Sequence, residues 1–102
     1  MPYIRQNLRD VVDEMISELV ETIKDNPKLR GSKEGVLNYT LTRLICESYN
    51  APHTYPRNWR YYDINNVMGI LECCKHEFYN KIARPKEENA ILNNGNLRCY
   101  EN

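Results

Sequence analysis

The chain has 102 residues, and its fourteen basic residues balance its fourteen acidic ones, which gives a formal net charge of zero. One domain, residues 1–102, is the expectation for this length. The balanced charge argues against a general nucleic-acid-binding protein, which needs a basic surface, and the lack of a long apolar run argues against a membrane partner. Because no secretion signal is evident either, we expect a cytoplasmic location, in the protein's own cell or in a host cell.

The first predicted helix runs from Leu8 to Ile23, because apolar residues recur there at spacings of three and four. Asn7 is its predicted amino-terminal cap, and Asn26-Pro27 is predicted to end it. Its apolar residues are Leu8, Val11, Val12, Met15, Ile16, Leu19, Val20 and Ile23. The opposite face is acidic, with Asp13, Glu14, Glu18 and Glu21, and we interpret it as solvated surface.

Two further main helices follow. Residues 34–49 form the second in the prediction, with Ser32 as its cap, and two prolines make residues 50–57 a loop. The third is predicted to run from about Trp59 or Asp63 to Ala83, with an apolar stripe that includes Phe78 and the single charged residue Lys75.

A short C-terminal helix is predicted from Pro85 to Asn94-Gly95, since proline suits a first turn and glycine a helix end. Residues 96–102 are expected to be an extended tail. No stretch alternates apolar and polar residues as a strand would. The predicted fold is therefore all-α, a compact bundle of three main helices plus the short C-terminal helix.

Polar residues share one face of the third helix, because they are three or four positions apart: Asn65, Gly69, Glu72, His76 and Tyr79. A glycine inside a helix costs about 1 kcal/mol relative to alanine, so something is expected to approach the backbone at Gly69. Close packing of a neighbouring helix is the favoured explanation, and approach of a ligand is the alternative.

Arg43 on the second helix has two interpretations. The favoured one is an ion pair with Glu72 or Glu77 that fixes the register of two helices. In the other, Arg43 and Lys75 are cationic donors for phosphate or carboxylate. Eight tyrosines against one phenylalanine favour an interface or a ligand groove, because tyrosine offers a rigid amphipathic surface.

No catalytic constellation is evident, because neither histidine has a neighbourhood that suggests a nucleophile or its partner. The acidic residues Glu14, Glu18 and Glu21 are weakly similar to those of helical metal-binding pyrophosphatases, but a second acidic motif is missing. The four cysteines, Cys46, Cys73, Cys74 and Cys99, have the spacing of neither a zinc site nor a disulfide framework. We expect no metal and no cofactor.

Two segments, LNYTLTRL at 37–44 and NNVMGILECCKHEFY at 65–79, carry a resemblance. They resemble a family of small uncharacterised proteins of bacteria and phages with the pattern LNYxxTRL, NxVxGxLExxKxEFY, PYE and NGDVY. The chain departs from that pattern at Lys86 and Asn96. The resemblance implies a set of ligand-binding residues: Asn38, Tyr39, Arg43, Asn65, Glu72, Lys75 and Tyr79.

These residues favour a non-catalytic binding protein of the phage type, a homo-oligomer that sequesters a small anionic nucleotide, such as a cyclic signal, from a defence effector. A structural or protein-interaction protein without a small-molecule ligand is the alternative. A metal-dependent nucleotide hydrolase is a third hypothesis.

Overall fold

A computed structural model describes residues 2–49 and 59–100 of the chain, and every regular element within these ranges is helical. The helices are α1 (Gln6–Asp25), α2 (Lys33–Tyr49), α3 (Tyr61–Phe78) and α4 (Arg84–Asn94), with a π turn at Tyr79–Ala83 and 3-10 turns at Pro27–Leu29 and Arg98–Tyr100. The all-α class and the three main helices are therefore confirmed. The predicted loop at 50–57 lies outside the described residues.

Helix α1 begins earlier than predicted and ends where predicted. Its N-cap position is Arg5, which makes no side-chain capping bond, so the predicted cap at Asn7 is wrong. Arg9 instead holds the start of the helix, because its Nε donates a hydrogen bond of 2.7 Å to the carbonyl of Ile4. At the other end Asn26 donates its backbone N–H to Thr22 and accepts from the backbone N–H of Lys28 at 2.9 Å.

The third helix is not a regular α-helix through Ala83, as predicted, because a π turn follows α3. The backbone N–H of Arg84 bonds to the carbonyl of Tyr79, five residues back. In a regular helix the ring of Pro85 would meet the carbonyl of Lys81, so the wide turn lets the helix pass a proline without breaking. Helix α4 (Arg84–Asn94) covers the range predicted for the short C-terminal helix, but it follows directly from the π turn without a loop.

Helix α4 ends as predicted at Asn94-Gly95. Gly95 has a φ of 89°, which favours glycine, and its N–H bonds to the carbonyl of Ile91 at 2.8 Å. The separate short element at the C-terminal end is only the 3-10 turn Arg98–Tyr100, where an extended tail was predicted.

No side chain is buried within residues 2–49 and 59–100, and the compact packing of the helices into one bundle stays a prediction. The apolar residues of α1 that the periodicity assigned to the interior remain accessible: Val11 is 65% exposed and Met15 is 66% exposed. The physical reason is that α1 lies against α2 over a short stretch only. Within residues 3–49, α2 therefore covers only part of the apolar face of α1.

Contacts within the chain divide it into two units, one formed by residues 3–67 and the other mainly by residues 68–100. The first unit contains α1, α2 and the start of α3. The second contains the rest of α3, the π turn and α4. Each unit has a groove of its own, and the single domain stays a prediction.

Candidate functional site

The α2 groove belongs to the unit of residues 3–67 and has a volume of about 330 Å³. It lies along α2, with one residue of α1 at its edge. Its lining residues are Leu19, Tyr39, Thr40, Arg43, Leu44, Glu47 and Ser48. Two of the predicted ligand-binding residues, Tyr39 and Arg43, therefore lie in this groove, four positions apart on one helix face.

Arg43 is paired within its own helix. Its Nε lies 2.5 Å from Glu47 Oε2, its Nη2 donates to Glu47 Oε1 at 3.3 Å, and its Nη1 donates to the hydroxyl of Tyr39 at 3.4 Å. The guanidinium carbon also lies 5.8 Å from the centre of the Tyr39 ring. The hydrogen bond between the two charged groups raises the pKa of Arg43 above its ordinary value and lowers the pKa of Glu47 below its ordinary value.

This pairing changes the interpretation of Arg43. The predicted partner was Glu72 or Glu77 on the third helix, whereas the ion pair that forms is with Glu47, four residues further along α2. An arginine and a glutamate four positions apart on one helix attract each other, so the sequence spacing alone could have suggested this partner. The charge of Arg43 is consequently balanced inside the groove that it lines.

The two asparagines of the predicted set lie in neither groove. The Asn38 Oδ1 accepts a hydrogen bond of 3.3 Å from the hydroxyl of Thr42, one turn further along α2. Asn65 is an exposed residue of α3 within the unit of residues 3–67. The structure thus gives these two amides no shared site with Arg43.

The α3 groove belongs to the unit formed mainly by residues 68–100 and has a volume of about 290 Å³. Its side chains come from the last turns of α3 and from the π turn. They are Glu72, Lys75, His76, Phe78, Tyr79 and Ala83. This groove brings together three predicted ligand-binding residues, Glu72, Lys75 and Tyr79, because spacings of three and four place them on one helix face.

Polar contacts in the α3 groove leave one cation available. The Nε2 of His76 lies 3.7 Å from Glu72 Oε1, and the hydroxyl of Tyr79 donates a hydrogen bond of 3.1 Å to Glu87 Oε2 on α4. That hydrogen bond to a carboxylate raises the pKa of Tyr79 above its ordinary value. Within residues 2–49 and 59–100, no hydrogen bond or ion pair engages the ammonium group of Lys75.

Sequence reasoning missed Phe78 as a residue of this groove. The helical stripe assigned it to the interior, whereas its side chain is 63% exposed and lines the groove beside Tyr79. The neighbouring π turn has no simple signature in the sequence, so no residue pattern indicated an open aromatic ring here. Phe78 adds an apolar face to the polar residues that the pattern had picked out.

Gly69 was expected to mark close approach of a helix or a ligand. A methyl group built on Gly69 would meet nothing within 4 Å. The favoured explanation, a neighbouring helix packed on this backbone, is therefore wrong for the described part of the chain. The outer surface of α3 at this position is open.

The acidic face of α1 does not gather into a metal-binding cluster. Among the described residues, no group of three or more histidine, cysteine, aspartate or glutamate side chains is placed to hold a metal ion. All four cysteines are exposed free thiols. None of the helices that the structure describes combines the length and the apolar character needed to cross a bilayer.

Comparison with known proteins gives a family and no function. No curated protein and no solved structure matches the chain. The model of one family, described as a domain of unknown function and designated DUF6899, matches residues 1–97. Since this match spans nearly the whole chain, the protein belongs to the uncharacterised DUF6899 family.

Proposed function

We propose that this protein is a non-catalytic binding protein that captures a small anionic nucleotide in the α3 groove. The observation that supports the proposal is the ammonium group of Lys75, which has no partner within residues 2–49 and 59–100 and lies beside two exposed aromatic rings, those of Phe78 and Tyr79. In the fuller form of the hypothesis the ligand is a cyclic signal, and a phage-type protein in the cytoplasm withholds it from a defence effector.

Lys75 provides the electrostatic part of the site. A lysine ammonium is a compact charge with three donors on a flexible stem, which suits a phosphate whose position is not fixed beforehand. Arg43 is the stronger donor by residue type, but Glu47 already occupies its guanidinium. A phosphate at Arg43 would have to displace that carboxylate, whereas Lys75 has no such partner among the described residues.

The aromatic rings provide the part of the site that tells a nucleotide from a bare phosphate. Phe78 is 63% exposed and Tyr79 is 46% exposed, so both offer ring surface to a base. Stacking of a base on an aromatic ring contributes about 1–3 kcal/mol and tolerates any base. Glu72 and His76 line the same groove, and a carboxylate there can accept hydrogen bonds from ribose hydroxyls or base amino groups.

The volume of the α3 groove limits the size of the ligand. Its 290 Å³ lies just below the range of about 300–1,000 Å³ that is usual for small-molecule sites. We therefore expect it to hold at most one nucleotide unit. A cyclic dinucleotide would therefore need a second copy of the groove for its other half, which is why the proposal includes a homo-oligomer.

A protein-interaction role without a small-molecule ligand is the second candidate, and the exposed apolar residues of α1 favour it. It differs from nucleotide capture in a simple way, because it gives Lys75 no ligand. The third hypothesis, a metal-dependent hydrolase, needs carboxylates gathered around a divalent ion. The described residues hold no such group.

Native mass spectrometry after incubation with a panel of linear and cyclic nucleotides tests the proposal. We expect an unaltered nucleotide to be retained by the wild type and by Lys81→Met, a control that removes the same charge outside the groove lining. Lys75→Met is expected to lose it. If the wild type retains no nucleotide, the result favours the protein-interaction role. If a converted nucleotide is found, the protein is an enzyme.

A further inference from the structure

We propose that Glu72 makes the α3 groove selective for guanine, so that the ligand is a guanine nucleotide. The inference rests on the proposed capture of a nucleotide in this groove, and it adds which base is captured. All the residues that it uses belong to the unit formed mainly by residues 68–100.

Helix geometry sets the order of the side chains around the α3 groove. Successive residues of an α-helix are about 100° apart around its axis, which places Tyr79 about 20° from Glu72. On the same side, Lys75 stands about 60° and Phe78 about 120° from Glu72. A base on the ring of Tyr79 therefore has Glu72 nearly in line with it along the helix, whereas the phosphate reaches Lys75 at the side.

The aromatic rings and the lysine do not select a base. The hydroxyl of Tyr79 already donates a hydrogen bond of 3.1 Å to Glu87 Oε2, so Tyr79 offers its ring and not its proton. Stacking on an aromatic ring tolerates every base, because every base has a π face. The ammonium group of Lys75 is a donor suited to phosphate. Selection among bases consequently falls to the carboxylate that lines the groove.

The carboxylate of Glu72 keeps its capacity to accept hydrogen bonds. Within residues 2–49 and 59–100 its ion-pair partner is His76, whose Nε2 lies 3.7 Å from Glu72 Oε1. That distance exceeds the range of about 2.7–3.2 Å for an N–H···O hydrogen bond. An ionised carboxylate has two acceptor oxygens and no donor. A base beside Glu72 must therefore supply N–H groups, and two adjacent ones would engage both oxygens.

Guanine is the common base that supplies two adjacent donors. Its N1–H and its 2-amino group lie side by side on the Watson–Crick edge, so one carboxylate can accept from both. Adenine and cytosine each place an amino group beside a ring nitrogen that accepts, and uracil places its N3–H between two carbonyl oxygens. A carboxylate that faces those edges meets an acceptor, and the two negative atoms repel each other.

Ribose also presents two neighbouring donors, its 2′ and 3′ hydroxyls, but the order of groups favours the base. In a nucleotide the ribose lies between the phosphate and the base. With the phosphate at Lys75 and the base on Tyr79, the ribose lies on the Lys75 side of the groove. The Watson–Crick edge is the edge remote from the ribose, so it is the edge that falls toward Glu72.

Titration calorimetry of the whole chain with four nucleoside monophosphates tests the inference. Guanosine monophosphate should bind at least about tenfold more tightly than adenosine monophosphate, because hydrogen bonds to a charged acceptor are the strong ones. Inosine monophosphate keeps the N1–H but lacks the 2-amino group, and its affinity should fall between these two. Deoxyguanosine monophosphate should bind within about twofold of guanosine monophosphate, since Glu72 does not hold the ribose.

A substitution at Glu72 tests the residue itself. Glu72→Gln keeps the size of the side chain and replaces one acceptor with a donor, so guanosine monophosphate should bind about tenfold more weakly. Adenosine monophosphate should not bind more weakly, because an amide matches a donor that lies beside an acceptor. Glu88→Gln, whose carboxylate pairs with Arg84 on α4 outside the groove lining, removes the same charge and should keep the preference for guanine.

The outcomes separate this inference from nucleotide capture. If guanosine and adenosine monophosphates bind the wild type equally, capture stands and the guanine inference is overturned. A loss of affinity on removal of the 2′ hydroxyl, without any preference among bases, assigns Glu72 to the ribose and also overturns it. A preference for guanine that survives Glu72→Gln shows that another group selects the base. If no nucleotide binds the wild type, both proposals fall.

Discussion

The α2 groove and the α3 groove each contain a cationic side chain, a carboxylate and a tyrosine. They differ in whether the cationic side chain has an ion-pair partner. Arg43 lies beside Tyr39 and is held by Glu47, whereas Lys75 lies beside Tyr79 and has no partner among the described residues. Residue type alone would rank arginine above lysine as an anion donor. The comparison teaches that the charge left over after pairing, and not the type of cation, identifies the better candidate site.

The largest effect is expected from removing the aromatic face of the α3 groove. Phe78→Ala should weaken retention of a nucleoside monophosphate about tenfold, because it removes a stacking surface. Tyr39→Ala removes a ring from the α2 groove and should change retention less than about twofold. Titration calorimetry with both variants measures the difference. If Tyr39→Ala has the larger effect, the candidate site belongs in the α2 groove.

A second prediction compares a helical glycine in each unit. Gly69→Ala should raise the free energy of unfolding by about 1 kcal/mol, because a methyl group at this position meets nothing within 4 Å. Gly35 on α2 is equally open and serves as the reference substitution. Chemical denaturation at one fixed protein concentration measures both variants. Destabilisation by Gly69→Ala alone would show that a second molecule approaches α3 at this point.

A third prediction concerns a substitution that leaves the cation of the α2 groove without its ion-pair partner. Glu47→Gln removes the carboxylate that neutralises Arg43, so the α2 groove should gain weak phosphate binding, about threefold over the wild type. The NMR signal of the Arg43 Nε–H group, followed during titration with inorganic phosphate, reports this gain directly. Glu21→Gln on α1 changes the charge equally without touching Arg43 and should leave the signal unaffected. If Glu47→Gln does not increase phosphate binding, the ion pair between Arg43 and Glu47 is not what prevents anions from binding in the α2 groove.

The smallest expected effects concern pH, and they have opposite signs in the two units. The lowered pKa of Glu47 means that its ion pair adds stability above the ordinary pKa of 4.5, and this contribution disappears as the pH falls through the lowered value. The raised pKa of Tyr79 means that its hydrogen bond adds stability below the ordinary pKa of 10.0, and this is lost as the pH rises through the raised value.

Thermal unfolding of Glu47→Gln and Tyr79→Phe against the wild type measures these contributions. The Tm difference for Glu47→Gln should shrink toward acid pH, and that for Tyr79→Phe should shrink toward alkaline pH. Both groups are exposed, so each difference should be small. A Tyr79→Phe difference that stays constant as the pH rises into the alkaline range would contradict the hydrogen bond to Glu87.

The sequence predicted the helices because their evidence is local. Periodicity placed α1, and Gly95 ended α4, since a three-four spacing or a glycine at positive φ needs no knowledge of distant residues. Two results depended on information that spacing does not contain. At Tyr79–Ala83 the backbone N–H groups bond to carbonyls five residues back instead of four, and the spacing of apolar residues does not indicate this pattern. The exposure of Phe78 depends on which other residues contact it in the folded chain.

Part of the candidate site could be predicted because the spacing of residues along one helix is local information. Glu72 and Tyr79 belong to the polar face predicted for the third helix, whereas Lys75 was assigned to its apolar stripe and joined the set through the resemblance. All three line one groove. The prediction that they form a set with Asn38, Arg43 and Asn65 rested on a shared pattern of residues, which carries no distances. The partner of Arg43 was predictable in principle from its spacing to Glu47, but a more distant pair was favoured instead.

The π turn has a consequence for how this family can vary. Tyr79 bonds to Glu87, eight residues ahead, whereas in a regular helix the residue that comes back to the same side is seven ahead. The wide turn therefore absorbs one residue and keeps the downstream face in phase with the upstream one. A relative that lacks one residue of the π turn, and that has another residue in place of the proline, would form a plain α-helix and still bring the glutamate over the tyrosine. A single-residue deletion accompanied by loss of the proline is thus expected to be tolerated here, in the middle of a helix, where a deletion would ordinarily rotate everything that follows.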